Sequence, residues 1–468
     1  MLPTIATGNV ASATAGGYEV ANSVRYNDGD SPKMEKTISA GSNTIGTFSC
    51  WVKRCTLGAD QALFTSTNDT LWFKIWFHNE DYLRIDRFKV ASPYWDILKT
   101  TNMKFRDPSA WYHIHVAIDT TDGTAEDRMI LTVNGTRVTS FATSTNPGSS
   151  VDLLIGTNTY KHRIGANQTS GDFFDGYMAE VVWIDGTASA ATNFGEFDED
   201  SPTIWKPQDV SGLSLGTNGY YLDMEASDNL GNDANGGTDF TETNLAATDQ
   251  ATDTPTNNFN VISPLTTTSS NVTISEGNCK ITTGTSSWHP STATIGVTKG
   301  KWYCEVKCTD VGSASKYGII DFAQYVDTTA NLAGYTRAWT YRAYGGYLYN
   351  NTDDSAEVGY GDSYTTNDII GIYLDCDNNK VYWAKNGTVQ NSGTGISITD
   401  GYDYTFAFNI YNSTAEVNFG GCSAFSISSA VSDDNGYGSF EYDPSAGTFD
   451  SASKDFYALC TKNLAEYG

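Results

Sequence analysis

The chain is short of positive charge. Lys and Arg together number 28 against 55 Asp and Glu, a formal charge of −27 with a pI near 4.3. A nucleic-acid grip needs a cationic face, and an anionic membrane surface attracts basic segments, so both kinds of partner are excluded. Charged residues of either sign are few, 18% of the 468. Coiled coils and helical bundles are rich in Glu, Lys and Arg, and this composition is not theirs. Long apolar runs are missing too. No window approaches the ~18 consecutive apolar residues that mark a membrane span. The stretch Met1–Gly17 has no basic start and no apolar run, so no secretory signal is expected. The eight cysteines form no C-x-x-C pair, which excludes zinc ribbons. In a chain made in a cytosol they read as reduced, small apolar residues rather than disulfides.

What the chain has in quantity is Gly (44), Tyr (28) and aromatic residues (13%), together with Thr, Asn and Ser. These are the makings of many short strands and tight turns. The expected fold class is all-β, two antiparallel sandwiches joined by an irregular connector. Residues 1–195 form the first unit. Its period-2 runs are Gly46–Arg54, Leu71–Phe77, Trp111–Asp119, Arg128–Val133 and Phe174–Asp185. Asn134-Gly135 between two of them is a hairpin signal. Residues 196–265 gather Pro202, Pro207, Pro255 and Pro264 with a polar, Gly-rich stretch, and read as the connector, with one strand at Gly219–Met224. Residues 266–445 form the second unit, with strands at Gly300–Lys307, Asp368–Asp375, Lys380–Lys385, Tyr404–Ile410 and Ala415–Gly420 and a turn at Asn386-Gly387. Residues 446–468 are a tail in which Asp455–Leu464 has weak helical spacing.

These segments carry a resemblance. Gly300-Lys301-Trp302-Tyr303 through Glu305, then Asp368–Asp375, then Val381–Gly387, in that order, resemble a SPRY domain. The first unit resembles a concanavalin A-like, laminin-G-like jelly roll through Phe48–Arg54, Trp111–Ile114, Val133–Gly135 and Phe174–Val181. The pairing of the two, the phrase Leu245–Phe259 and the ending Thr461–Leu464 are similar to virion proteins of tailed phages, marine and cyanobacterial ones in particular. The resemblance implies a structural, surface-binding protein and leaves the ligand unnamed.

Candidate chemistry is sparse. A glycosidase on a concanavalin-like fold needs two carboxylates across one strand face. Glu196-Phe197-Asp198-Glu199-Asp200 comes nearest, with Asp200 where the acid Glu belongs, and a solvated acidic segment is the simpler reading. Glu180 lies on a strand and lacks a partner at the right spacing. His113 and His115 share one strand face with no third metal ligand nearby, which places them on the outer or rim face. Asp28–Ser31 and Asn351–Asp354 are acidic loops in which structural calcium is conceivable, though neither completes an EF-hand, and no cofactor is assigned. The most unusual composition is Trp339–Asn350. Trp339, Tyr341, Tyr344, Tyr347 and Tyr349 crowd around Gly345-Gly346, with Arg342 as a donor, and form the candidate ligand-binding set for sugar stacking or protein contact. Ordinary strand residues of a Tyr-rich sandwich are the competing reading.

The expected function is that of a non-enzymatic virion protein on the particle exterior, acting as a lectin-like host-attachment module, tail fiber or receptor-binding. Its partners are other virion proteins, host surface glycan and further copies of itself, a trimer in the habit of phage appendages. Two alternatives stay open: a capsid decoration protein with no glycan ligand, and a glycan-degrading enzyme.

Overall fold

The computed structural model describes residues 17–90, 95–167, 171–267, 269–310, 314–324, 329–350 and 353–468. The chain divides into two compact units at Thr256 and Asn257. In both, the regular structure is almost wholly antiparallel sheet, and Thr461–Tyr467 is the one α-helix among the described residues.

The first unit packs two eight-stranded sheets face to face. In one, called here sheet I, the order is Thr136–Arg137, Met129–Val133, Trp111–Asp119, Ile45–Arg54, Gly176–Asp185, Ser23–Tyr26, Gln250–Ala251, with Tyr220–Leu222 also paired to Gly176–Asp185. In the other, sheet II, it is Phe141–Thr145, Trp95–Lys104, Tyr82–Phe88, Trp72–Phe77, Gln61–Thr67, Lys161–Ile164, Lys33–Thr37, Thr241–Thr243. Alternation sends one side of each strand into the shared core. There Phe64 stacks between Phe48 and Trp183, with ring centroids 5.0 and 5.3 Å away. The Asn134-Gly135 hairpin closes as the sequence predicts, with φ of +45° and +72°. Two positive φ values are what a type I′ turn needs, and Asn and Gly tolerate them.

The strand Gly176–Asp185 breaks its own alternation. Its register against Ile45–Arg54 slips between Ala179 and Val182, and Glu180 sits there at φ +51°. This is a β-bulge, which re-aims a side chain. Met178 and Val181, three apart, both reach the inner core, while Val182 and Ile184 join a separate cluster.

That cluster corrects the expectation of a connector over 196–265. Residues through Thr256 belong to the first unit. Tyr220–Leu222 and Gln250–Ala251 are strands of sheet I and Thr241–Thr243 a strand of sheet II, while Phe194, Trp205, Val210 and Leu215, with Asp253 further on, form a strap over the outer side of sheet I. Phe194, Val210, Leu215 and Tyr221 pack on Val182 and Ile184. At the far end of the strap, Asp253 reaches Lys53 Nζ at 2.6 Å, both buried. The physical reason is the outer side of sheet I, where Trp51, Val182 and Ile184 stand among Ser49, Lys53, His113 and His115, so that apolar area must be covered and buried polar groups given partners.

The second unit pairs a nine-stranded sheet with a six-stranded one. In the first, Lys301–Asp310 lies between Ser413–Asn418 and Ile369–Asp375, and Lys380–Lys385 follows. In the second the order is His289–Thr292, Tyr404–Ile410, Lys316–Asp321, Ala338–Arg342, Tyr347–Asn350, Asp353–Gly359. Asn386-Gly387 turns with φ of +48° and +76°, again the I′ pattern. The tail expected at 446–468 is integral to this unit: Tyr457–Ala458 pairs in parallel with Trp302 and Tyr303. Phe440, Phe449 and Phe456 cover Tyr303, Tyr373 and Tyr382. Glu305, fully buried, fastens the same layer. Its carboxyl accepts the backbone N–H of Glu441 and Tyr442 at 3.0 and 2.8 Å. All eight cysteines are buried thiols outside any disulfide.

Candidate functional site

The outward side of sheet II gathers an aromatic and cationic array. In the strand Trp72–Phe77, Phe73, Ile75 and Phe77 are core residues, which turns Trp72, Lys74 and Trp76 to the other side. Cross-strand register sets Trp72 opposite Phe88, Lys74 opposite Asp86 and Trp76 opposite Arg84. Trp72 stacks on Phe88 with centroids 4.3 Å apart. Trp95, 48% exposed, meets Phe88 edge-on at 5.5 Å. Lys74 Nζ lies 3.6 Å from the Trp76 ring centre and the Arg84 guanidinium 5.2 Å from it. Both indoles donate to Asp86, at 3.1 and 2.8 Å. His78 continues the row, stacked 4.4 Å from Tyr82. The buried cations of the same face are ion-paired: Lys74 with Asp172 at 2.8 Å and Arg163 with Asp69 at 2.7 Å. The rings are thus held in fixed orientations by charge, and the partly exposed ones (Trp72, Tyr82, Phe88, Trp95) form a rigid platform.

The candidate set in the second unit divides. Trp339, Tyr341 and Tyr349 are buried, which corrects the reading of them as ligand-facing. They sit at regular strand positions. Trp339 and Tyr341 turn to the inner core, where Trp339 packs on Tyr404 and Tyr341 on Trp383. Tyr349 lies under the Lys316 amine, 4.1 Å from its ring centre, and accepts from Arg342 Nη1 at 2.7 Å. Tyr344 is outward, 62% exposed, in a 3-10 turn over Tyr344–Gly346. Tyr347 is half-buried, and Arg342 lies 5.6 Å from the Tyr344 ring centre.

The remaining candidates are occupied by structural bonds. Glu196 and Asp198 share Lys206, at 3.3 and 3.5 Å. His113 and His115 do lie on the outer side of sheet I, and the strap buries them. His113 bonds Ser49 Oγ and Trp205 Nε1, and His115 bonds Ser189 O. Burial holds both imidazoles below their ordinary value, His115 down to about 4. Glu180 sits buried beside a cleft of about 500 Å³ lined by Tyr18, Asp209, Tyr221, Asp223 and Glu225. Tyr221 donates to both of its oxygens, at 3.0 and 2.9 Å, and Tyr18 to one at 3.1 Å. Burial pushes its carboxyl up to about 8. Asp28–Asp30 form a short 3-10 turn. Asn351 and Thr352, with the side chains of Asp353 and Asp354, lie outside the described residues. Among the described residues no three His, Cys, Asp or Glu side chains converge as metal ligands would.

The sequence reading missed Trp72 and Trp76. Leu71–Phe77 is aromatic on both sides, so alternation alone does not say which side is core. The available signal was Lys74 between the two tryptophans, since a Lys marks the polar side of a strand.

Residues 28–192 match the family model described as the concanavalin A-like lectin/glucanases superfamily, in its Laminin_G_3 form. The first sandwich is thus similar to concanavalin A-like domains, a superfamily whose description covers both lectins and glucanases. Among curated proteins, an ATP-dependent RNA helicase of Xenopus laevis, DDX1, is 34% identical over 113 residues. That is 24% of this chain and 14% of the helicase. Among solved structures, the SPRY domain of human HERC1 is 18% identical, with 35% of this chain and 99% of that one covered and a TM-score of 0.28. A heptameric SAP-like pentraxin from Limulus polyphemus is 14% identical, covering 37% and 80%, also with a TM-score of 0.28.

Proposed function

We propose that the protein is a non-enzymatic, lectin-like attachment module on the exterior of a tailed-phage virion, made in the host cytoplasm and binding host-surface glycan. The observation that carries a glycan ligand is the ring platform of sheet II, Trp72 on Phe88 with Trp95 beside them. A sugar ring has an apolar C–H side and a rim of hydroxyls. Fixed indole and phenyl rings take the first at low entropy cost, and part-exposed Arg84 and Lys89 donate to the second. Tyr344 and Tyr347 offer a smaller surface of the same kind. The resemblance of the paired sandwiches to phage virion proteins supports the particle, and the acidic, Thr- and Asn-rich composition supports its exterior. Self-association as a trimer is part of the proposal, motivated by sheet edges such as Asp353–Gly359, which favour being paired or covered.

The test is binding of the purified full chain to host cells and to their extracted polysaccharide, with Trp72→Ala and Trp95→Ala beside the parent. Removing a stacked ring from a desolvated contact costs about 2 kcal/mol or more, roughly thirtyfold in affinity. Parent-like binding by both variants overturns the platform. Binding to assembled capsids with none to cells identifies a decoration protein instead, and release of free sugar identifies an enzyme. Tomography of labelled particles locates the protein independently.

A further inference from the structure

The buried cations of the first sandwich come with carboxylates. Lys53 has Asp253, Arg54 has Asp81, Lys74 has Asp172 and Arg163 has Glu35. Lys99 differs. It is 4% exposed, yet among the described residues its amine reaches only neutral oxygens: Asn146 Oδ1 at 2.6 Å and Ser144 Oγ at 3.3 Å. A buried ammonium normally requires a counter-charge, because desolvation disfavours the charged form.

Beside it lies a cavity of about 270 Å³. Leu131, Val138 and Phe141 give it an apolar wall, and Arg137 lines it with Lys99. The Lys99 amine sits 4.8 Å from the Phe141 ring centre. Arg137 is half-exposed, and its Nη2 bonds Asp127 Oδ1 at 2.7 Å and Glu126 O at 3.0 Å. A planar guanidinium has five N–H donors, so this engagement of one nitrogen leaves a fork for another acceptor. Burial and then the Arg137 charge hold Lys99 below its ordinary value, and the Glu126 charge offsets them only in part. A negative group between the two cations relieves both effects. Glu126 also lines the cavity and opposes a doubly charged ligand.

We infer that this cavity is a second ligand site, separate from the ring platform, which takes the carboxylate of a monosaccharide acid between Lys99 and Arg137. The volume lies at the small end of ligand pockets, enough for one ring and not for a chain. Ser144 and Asn146 supply neutral hydrogen-bonding groups for ring hydroxyls, and Phe141 a surface for the ring itself. A plain fatty carboxylate would use the apolar wall and leave those polar groups unmatched.

The experiment is calorimetric titration of the full chain with glucuronate, with glucose as the uncharged control and hexanoate as the carboxylate without hydroxyls. Saturable glucuronate binding is expected, absent with glucose and weaker with hexanoate. Lys99→Met should weaken it by about thirtyfold or more, because one member of a desolvated charge pair is gone. Arg137→Gln, at the exposed mouth where folding is not at risk, should weaken it several-fold and lower its sensitivity to salt. Glucuronate binding unchanged in both variants, or absent from the parent up to tens of millimolar, overturns the site. Hexanoate binding more tightly than glucuronate overturns the sugar class.

Discussion

Trp205 Nε1 donates to His113 Nδ1 at 3.0 Å. An indole N–H only donates, so Nδ1 is bare and the imidazole carries its proton on Nε2, which then donates to Ser49 Oγ at 2.8 Å. Trp205 arrives on the strap and His113 belongs to sheet I, so one bond fixes both a tautomer and the docking of the covering layer. The ring has room because Gly135 and Gly195 flank it. A Cβ on either would lie 2.2 or 2.6 Å from indole atoms. Trp205→Phe keeps the ring packing and removes the donor, leaving a buried acceptor unmatched. The expected cost is about 1–3 kcal/mol in urea unfolding. A variant as stable as the parent would mean the bond contributes nothing.

The pH dependence of the first sandwich follows from four buried groups. His113 is held well below its ordinary value of 6.5, His115 down to about 4 and His162 to about 3, all mainly by burial. The unfolded chain binds these protons first, so their contribution is complete above pH 6.5 and is lost as pH falls toward about 4 for His115 and about 3 for His162. Glu180 runs the other way. Its carboxyl is raised from 4.5 to about 8, so its contribution is complete below pH 4.5 and is lost as pH rises toward 8. Three histidines outweigh one glutamate on the acid side, and the glutamate sets the slope from neutrality to about pH 8, before the buried Cys50 thiol and the buried tyrosines, all raised by burial, enter at higher pH. Stability should therefore peak near pH 6.5, falling steeply below and gently above. One group changes it by about 1.4 kcal/mol per pH unit. Glu180→Gln should flatten the alkaline limb and leave the acid limb in place. An alkaline limb equally steep in that variant would remove Glu180 as its cause.

Most of the strand framework was legible in the sequence, and the covering layers were not. Trp111–Asp119, Lys380–Lys385 and Tyr404–Ile410 appear with the bounds that alternation gives them. Both Asn-Gly turns form because the required φ values are written in those two residue types. The stretch 196–256 reads as a connector because its hold on sheet I is made by single, widely spaced residues such as Trp205, Val210, Leu215 and Asp253, which have no period. Glu180 could not be placed either. Its outward turn follows from a bulge, and strict alternation does not foresee one. The rings of Trp339–Asn350 misled in the opposite sense: an aromatic cluster next to two glycines reads as a loop, yet its members at 339, 341 and 349 hold strand positions in buried layers.

The pair Lys53 and Asp253 tests the strap from its other end. The two charges meet at 2.6 Å with side chains 0% and 1% exposed. Trp111 Nε1 also donates to the same carboxylate, at 3.0 Å. Removing one member of such a pair leaves a buried charge uncompensated and costs about 3–5 kcal/mol. Asp253→Ala should lower the denaturant midpoint of the first sandwich accordingly and expose its outer sheet to proteolysis between residues 187 and 256. The double variant Lys53→Met with Asp253→Leu should recover much of the loss, since an apolar pair carries no desolvation cost. Failure of that recovery would locate the effect in the other bonds of Asp253, the one from Trp111 among them.

The last prediction separates surface from core within one twelve-residue segment. Tyr344 projects from a turn and Tyr349 lies in a strand beneath the Lys316 amine. Truncating a buried aromatic forfeits its contacts and leaves a cavity, about 3–5 kcal/mol. Tyr349 also anchors Arg342 through a 2.7 Å hydrogen bond, so its loss should loosen the guanidinium that lies over Tyr344. Tyr349→Ala is thus expected to lower stability strongly and to change ligand binding only as a consequence. Tyr344→Ala removes a ring whose exposure is already 62%, and surface substitutions of this kind stay within about 0.5 kcal/mol. If the segment contributes to glycan or capsid binding, Tyr344→Ala weakens that binding with the melting temperature unchanged. Equal stability losses in the two variants would contradict the structural division, and parent-like binding by a stable Tyr344→Ala protein would confine recognition to the ring platform of the first sandwich.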